Sequence, residues 1–183
     1  MTPSSKAPGA SRGRRETPDG SAPAAGCVAT APTPKRILLV DDDPGIRGSL
    51  GAVLQQEGYC VWSAANGEQA LKLAAGDPID LTVLDLNMPV KGGWETFERL
   101  SWEHPLMPIV LITARSNQLF TALGAGVGAL LEKPLEIPRF LQTVARLLAE
   151  PAETQLARLC GMTAEFTYAP RDEPRDTVRP PAS

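Results

Sequence analysis

The sequence predicts one α/β domain built on a doubly wound parallel sheet of five strands, (βα)5, with helices on both faces. Runs of four or five apolar residues without polar alternation are typical of strands that are buried on both sides. These runs alternate strictly with longer segments of helical periodicity. Such alternation indicates parallel strands joined by right-handed crossovers.

The first strand and first helix have sharp predicted boundaries. The apolar run at 37–40 ends at Asp41, and Asp43 followed by Pro44 is typical of a helix N-cap and first helical position. Gly58 is a natural end for this helix, because glycine is the usual residue after a helix C-terminus.

Turn residues divide the rest of the domain. Asn66-Gly67 and Gly76-Asp77-Pro78 bracket the second helix, and His104-Pro105 ends the third. The further strands are predicted at 59–62, 79–84, 108–112 and 129–132, and the further helices at 68–75, 93–103, 116–124 and 135–149.

Composition separates this domain from two tails. The chain has 183 residues, of which 43% are hydrophobic and 21% charged, enough for one domain plus extra length. We place the domain at 35–150. Residues 1–34, rich in Pro, Ala, Ser and Gly, are predicted to be disordered, as is most of 151–183, in which one short helix can form near 152–162.

Charge, cysteine and hydropathy patterns exclude several classes of protein. The net charge of −3 lacks the basic excess of a chain that coats nucleic acid, so we expect no direct DNA binding. Cys27, Cys60 and Cys160 are too widely spaced for a disulfide framework or a zinc site. Since the sequence lacks a signal-peptide core and an 18-residue apolar run, we expect a soluble, cytoplasmic protein with no membrane contact.

Five polar residues follow the predicted strands. They are Asp41 and Asp42, Asp85, Thr113 and Lys133. Ligands of open α/β sheets bind outside the carboxyl ends of the strands, so these side chains should converge on one pocket. Three carboxylates, a hydroxyl and an ammonium suit a site for a divalent cation and a phosphoryl group.

Four sequence strings carry a resemblance to a known family. ILLVDDDP at 37–44, DLNMPVKGG at 85–93, ITA at 112–114 and EKP at 132–134 resemble the receiver domain of bacterial two-component response regulators. Each string is common, but the four in this order and spacing are specific. The resemblance covers residues 36–149 and implies a flavodoxin-like five-stranded sheet.

The resemblance also implies roles for the strand-end residues. Asp85 is the expected phosphoacceptor, Asp41 and Asp42 the acidic pair that holds Mg²⁺, Thr113 the switch hydroxyl and Lys133 the phosphate-binding cation. The expected partner is a sensor histidine kinase or a phosphotransfer protein. Phosphorylation is then expected to change the conformation of the domain and so regulate a downstream protein.

Magnesium prefers octahedral oxygen coordination. Direct carboxylates from Asp42 and Asp85, a backbone carbonyl from Asn87 and a water held by Asp41 would suffice. We expect no enzymatic turnover beyond self-catalysed phosphotransfer and autodephosphorylation.

Two features of the sequence concern how the domain would pass a signal to its target. One is a departure from the family pattern, and the other is the length of the chain after the domain. Receivers usually carry an aromatic residue three positions before the lysine, and here that residue is Leu130. Only 33 residues follow Glu150, too few and too polar for a helix-turn-helix domain with its own core, so we expect a stand-alone receiver that acts by protein contact.

Two other functions stay open. A phosphatase of the haloacid dehalogenase type also uses a strand-end aspartate with magnesium, threonine and lysine, and Asp41-x-Asp43 could fit its first motif, although no further acidic pair follows Lys133 at a strand end. The second alternative is a degenerate receiver that serves as a docking module.

Overall fold

A computed structural model describes residues 33–89, 92–160, 162 and 166–170 of the chain. Its centre is a parallel sheet in the order β2-β1-β3-β4-β5-β6. The strands are β1 (Arg36–Val40), β2 (Cys60–Ala64), β3 (Leu81–Asp85), β4 (Ile109–Thr113), β5 (Ala129–Glu132) and β6 (Thr167–Ala169). The prediction of an α/β parallel sheet is confirmed, but the predicted number of five strands is wrong, because β6 adds a sixth.

Helices cover both faces of the sheet. They are α1 (Pro44–Gln56), α2 (Gly67–Gly76), α3 (Gly93–Glu103), α4 (Leu119–Gly124), α5 (Ile137–Ala149) and α6 (Ala152–Leu159). Leucines of α1 and α5 pack on one face of the sheet, and apolar residues of α2, α3 and α4 pack on the other. Strands β3 and β4 are buried along their whole length, which explains why they read as uninterrupted apolar runs.

The predicted helix signals act as expected. The Asp43 carboxylate accepts hydrogen bonds from the backbone N–H groups of Gly45 and Ile46, at 2.7 and 3.2 Å, and so caps α1. Gly58 ends the turn after this helix with a φ of 86°, a backbone conformation that residues with a Cβ rarely adopt. Asn66 caps α2 through the N–H of Gln69.

The predicted helix at 116–124 is shorter than expected. It begins as a single 3-10 turn at Ser116–Gln118 and becomes α-helical only at Leu119. No side-chain cap satisfies the first N–H groups of either piece, which is consistent with the absence of a capping residue in front of them.

The chain continues past α5 as part of the fold. Helix α6 lies within the stretch where a short helix was expected, and β6 pairs with β5 in the register Leu130 to Tyr168. Three residues are too short a segment for periodicity to reveal, so β6 could not be predicted locally. The tail predictions for residues 1–32 and 171–183 lie outside the described residues. In the described part of the chain, no helix combines the length and apolarity needed to cross a bilayer.

Candidate functional site at the carboxyl edge of the sheet

Four neighbouring strands bring the predicted site residues to one edge of the sheet. Asp41 follows β1, Asp85 ends β3, Thr113 ends β4 and Lys133 follows β5. Because β1, β3, β4 and β5 are adjacent and parallel, their carboxyl ends meet. The convergence expected from the sequence is therefore present, although 92 residues separate Asp41 from Lys133.

An acidic cluster forms the centre of this edge. Asp41, Asp42 and Asp85 each place a carboxylate oxygen within 4.8 Å of the others. Asp41 and Asp85 are 1% and 3% exposed, whereas Asp42 is exposed to solvent. Two buried carboxylates and one open to water leave an approach from solvent to a set of hard oxygen donors, the type of ligand that Mg²⁺ prefers.

Lys133 bridges the two buried carboxylates. Its Nζ lies 2.7 Å from Asp85 Oδ2 and 2.8 Å from Asp41 Oδ2. Burial lowers the pKa of Lys133, but the hydrogen bonds to Asp41 and Asp85 and their negative charges outweigh burial, so its pKa is raised above the ordinary value. The ammonium therefore stays charged. With one cation against three carboxylates, these four side chains keep a net charge of −2, which suits a divalent ion.

Backbone amides fix the other oxygens of the same carboxylates. The N–H of Asp43 donates to Asp41 Oδ1 at 2.8 Å, and the N–H of Asn87 donates to Asp85 Oδ1 at 2.9 Å. Each buried carboxylate thus gives one oxygen to the backbone and one to Lys133. This arrangement orients both groups, because each of their oxygens accepts from one fixed donor, and it leaves further lone pairs on each oxygen for another ligand.

The Thr113 hydroxyl is hydrogen-bonded to the loop that follows β4. Its side chain is fully buried, its Oγ1 accepts from the N–H of Arg115 at 3.0 Å, and it donates toward the carbonyl of the same residue at 3.4 Å. The side-chain amide of Asn87 lies 3.5 Å from this hydroxyl. Thr113 is therefore close to the site, but its hydroxyl is engaged by the loop that follows β4.

The structure supports the predicted role of Asp43 as a helix cap and leaves the predicted ligand role of Asn87 open. Asp43 caps α1, as predicted, and its side chain does not belong to the acidic cluster. This finding does not favour the phosphatase reading of Asp41-x-Asp43. Asn87 borders the site through its N–H and side chain, whereas the ligand role of its carbonyl stays a prediction.

Two contributors were missed from the sequence. The guanidinium of Arg47, on α1, donates to the backbone carbonyl of Asp41. Gly93 begins α3 against the site backbone, since a Cβ there would lie 2.4 Å from Leu86 Cα and 2.6 Å from the carbonyl oxygen of Asp85. The Gly92-Gly93 pair was visible in the sequence, but only the packing shows that the second glycine is a steric requirement.

An aromatic ring also lies near the family's usual aromatic position. Leu130 is fully buried, and its register neighbour on β6 is Tyr168. The Tyr168 hydroxyl donates to Glu132 Oε1 at 2.6 Å, and Glu132 is buried. The aromatic side chain thus comes from a neighbouring strand.

Comparisons with known proteins identify the family to which this sequence is similar. The response regulator receiver domain family matches residues 37–145. Transcriptional regulatory protein CpxR of Escherichia coli strain K12 is 44% identical over 94 residues, which are 51% of this chain and 40% of that protein. The chain spans between 27% and 58% of the length of the curated relatives compared with it.

Solved structures show the same fold. A CheY-like receiver domain protein from Methanospirillum hungatei JF-1 has a TM-score of 0.62 and 28% identity, over 68% of this chain and 98% of that one. The response regulator TrrA of Thermotoga maritima, solved in complex with Mg²⁺-BeF, has a TM-score of 0.58 and 34% identity, over 62% of this chain and 98% of that one.

Proposed function

Because the chain belongs to the response regulator receiver domain family, we propose that it receives a signal as a phosphoryl group on Asp85 and transmits it as a change of shape. The observation that carries the proposal is the contact of Lys133 with both Asp41 and Asp85 beside the exposed Asp42. A partner histidine kinase or phosphotransfer protein would supply the phosphoryl group, and a separate protein would respond to the change.

Asp85 is suited to be the acceptor. A carboxylate oxygen of Asp85 forms the new bond to phosphorus while the bond from phosphorus to the donor's imidazole nitrogen breaks, and the electron pair stays on that nitrogen. The N–H of Asn87 holds Oδ1 of Asp85 and Lys133 holds Oδ2, so the carboxylate is oriented before a donor arrives. Such preorganisation lowers the entropic cost of an in-line transfer.

The donor set fits a magnesium ion. Asp42 and Asp85 would hold it directly, Asp41 would hold one of its waters, and the backbone carbonyl of Asn87 would complete the protein ligands. When bound, Mg²⁺ neutralises the phosphoryl oxygens that an unassisted carboxylate would repel. The support for this assignment is chemical: the three carboxylates are hard oxygen donors with oxygens within 4.8 Å of one another.

Lys133 and Thr113 give the transfer a structural consequence. The Lys133 ammonium, now shared between two carboxylates, can pair with a phosphoryl oxygen as a point charge. Thr113 can donate to another phosphoryl oxygen only if its hydroxyl leaves the Arg115 carbonyl and turns toward Asp85. A phosphoryl group adds a charge of about −1.5 to −2 and three acceptors, enough to favour that rearrangement.

Labelling with acetyl phosphate tests the proposal. We expect the full chain with Mg²⁺ to gain one phosphoryl group by intact mass, Asp85→Asn to gain none, and Asp43→Asn, which retains an N-cap, to be labelled like the wild type. Removal of Mg²⁺ with a chelator should stop labelling.

Other results would contradict the proposal. Labelling that survives Asp85→Asn would exclude Asp85 as acceptor. Sustained turnover of a phosphomonoester would favour a phosphatase, and a wild-type chain that neither binds Mg²⁺ nor is labelled would favour a docking module.

A further inference from the structure

The segment after α5 closes over the edge of the sheet. Strand β6 lies parallel to β5 and pairs Ala129, Leu130 and Leu131 with Thr167, Tyr168 and Ala169. It covers the backbone edge that β5 would otherwise present, and Phe166 and Tyr168 pack against the core on the α2-α3-α4 side. We call the described residues 151–160, 162 and 166–170 the strap.

Different contacts hold the two ends of the strap. At the α6 end, Arg158 and Glu150 form a buried ion pair, and the side-chain amide of Gln155 donates to the carbonyl of Pro105 at 3.4 Å. At the β6 end, Arg139 of α5 donates to the carbonyl of Tyr168 at 3.0 Å, and the hydroxyl of Tyr168 donates to Glu132 at 2.6 Å. The α6 end is anchored by a buried charge pair, whereas the β6 end is held by its pairing with β5, by apolar packing of Phe166, Tyr168 and Ala169, and by hydrogen bonds that include these two.

The β6 end is linked to the phosphorylation site through β5. Glu132, which accepts the Tyr168 hydroxyl, immediately precedes Lys133, whose ammonium contacts Asp85. Glu132 is also the register partner of Thr113, and the N–H of Lys133 donates to the Thr113 carbonyl at 2.8 Å. A phosphoryl group would attract Lys133 and Thr113. Both are linked directly to Glu132, Lys133 as the next residue in the chain and Thr113 as the register partner on β4.

We propose that the strap is a closed conformational latch and that phosphorylation of Asp85 loosens its β6 end. This proposal rests on the proposed function of Asp85. A movement of Lys133 and Thr113 toward a phosphoryl group would shift the end of β5 together with Glu132. The bond from Tyr168 to Glu132 would then lengthen, because Arg139 of α5 separately holds the Tyr168 carbonyl. Loosening β6 exposes the backbone edge of β5, and an uncovered strand edge is a surface at which other strands can pair.

Hydrogen exchange of the full chain tests the latch. The amides of Thr167–Ala169 should exchange several-fold faster after phosphorylation with acetyl phosphate and Mg²⁺, in proportion to the phosphorylated fraction read by intact mass in the same sample. Asp85→Asn should show no such change. In Tyr168→Phe, which lacks the hydroxyl, these amides should exchange fast even before phosphorylation. The control is Tyr59→Phe, which lies beside β2 at the opposite edge of the sheet and should behave as the wild type.

Reciprocity supplies a second readout. If a phosphoryl group disfavours the closed strap, then weakening the strap must favour binding of a reversible mimic of that group, so beryllium fluoride with Mg²⁺ should bind more tightly to Tyr168→Phe than to Tyr59→Phe. Full phosphorylation without faster exchange in β6 would overturn the latch and leave the role of Asp85 intact. Failure of phosphorylation itself would overturn both.

Discussion

The ammonium of Lys133 lies 2.7 Å from the Asp85 carboxylate across 48 residues of sequence, and it contacts Asp41 at nearly the same distance. This lysine compensates two buried negative charges at once. Its loss would leave both carboxylates buried without a counter-charge, which is costly in a medium of low polarity.

We therefore expect Lys133→Met to lower the free energy of unfolding by about 3 kcal/mol without magnesium, the low end for a broken buried pair because Lys133 is one-fifth exposed. Mg²⁺ should restore more stability to this variant than to the wild type, since the freed carboxylates gain a new cation. Denaturant unfolding with and without Mg²⁺ measures both effects. Lys35→Met, which breaks the exposed pair with Asp80, is the control and should cost less than about 1 kcal/mol.

Gly93 offers a steric test of the site wall. A methyl group there would meet Leu86 Cα at 2.4 Å, so Gly93→Ala should push α3 away from the Asp85 backbone and destabilise the fold by about 1–3 kcal/mol, the usual cost of overpacking. Phosphorylation by acetyl phosphate should slow as the orientation of Asp85 is lost. Gly48→Ala, on an open face of α1, should instead be neutral or stabilising. Equal behaviour of the two variants would show that the close approach is unimportant.

Asp42 and Asp43 are neighbours with separable roles. Asp43→Ala should cost about 1 kcal/mol of stability, because the N–H groups of Gly45 and Ile46 lose their acceptor, yet Mg²⁺-dependent labelling should persist. Asp42→Ala should reverse the pattern, with weaker Mg²⁺ binding and little loss of stability, since its carboxylate is exposed. Calorimetric titration measures the Mg²⁺ affinity of both variants, and thermal unfolding measures their stability. If both variants lost Mg²⁺ affinity and stability to the same extent, the two residues would not have separate roles.

The hydrogen bond between Tyr168 and Glu132 makes the stability of the fold depend on pH. The hydrogen bond to Glu132, partial burial and the charge of Glu132 together raise the pKa of Tyr168 above the ordinary value of 10.0. The folded protein thus holds this proton more tightly than the unfolded chain does. The resulting stability is complete below pH 10.0 and is lost as the pH rises through the raised value.

An ultraviolet titration of tyrosinate in Tyr59→Phe, where Tyr168 is the one tyrosine left, measures this pKa directly. Arg139 also contacts Tyr168, but through the backbone carbonyl of that residue. We expect Glu132→Gln in the same background to return the Tyr168 pKa toward its ordinary value. A Tyr168 that titrates at or below that value in both proteins would contradict the hydrogen bond.

Most of the sheet and the acidic site could be predicted because their signals are local. Buried parallel strands have uninterrupted apolar runs such as 37–40, and Asp43 and Pro44 mark the start of helix α1. The site residues are found by the same logic, since a polar residue directly after a buried strand must lie at the carboxyl edge of the sheet. Position along the chain was therefore enough to place Asp85 and Lys133 together.

The sequence by itself determined the α/β class, the succession of strands and helices and the residues at the carboxyl edge, because each depends on short-range periodicity and capping. Tertiary structure alone decided the division of each buried carboxylate between a backbone amide and Lys133, the close approach at Gly93, and the pairing of β6 with β5. The reason is physical: the three residues of β6 carry no pattern of their own and become a strand only because Glu132, Arg139 and the open edge of β5 are already in place to receive them.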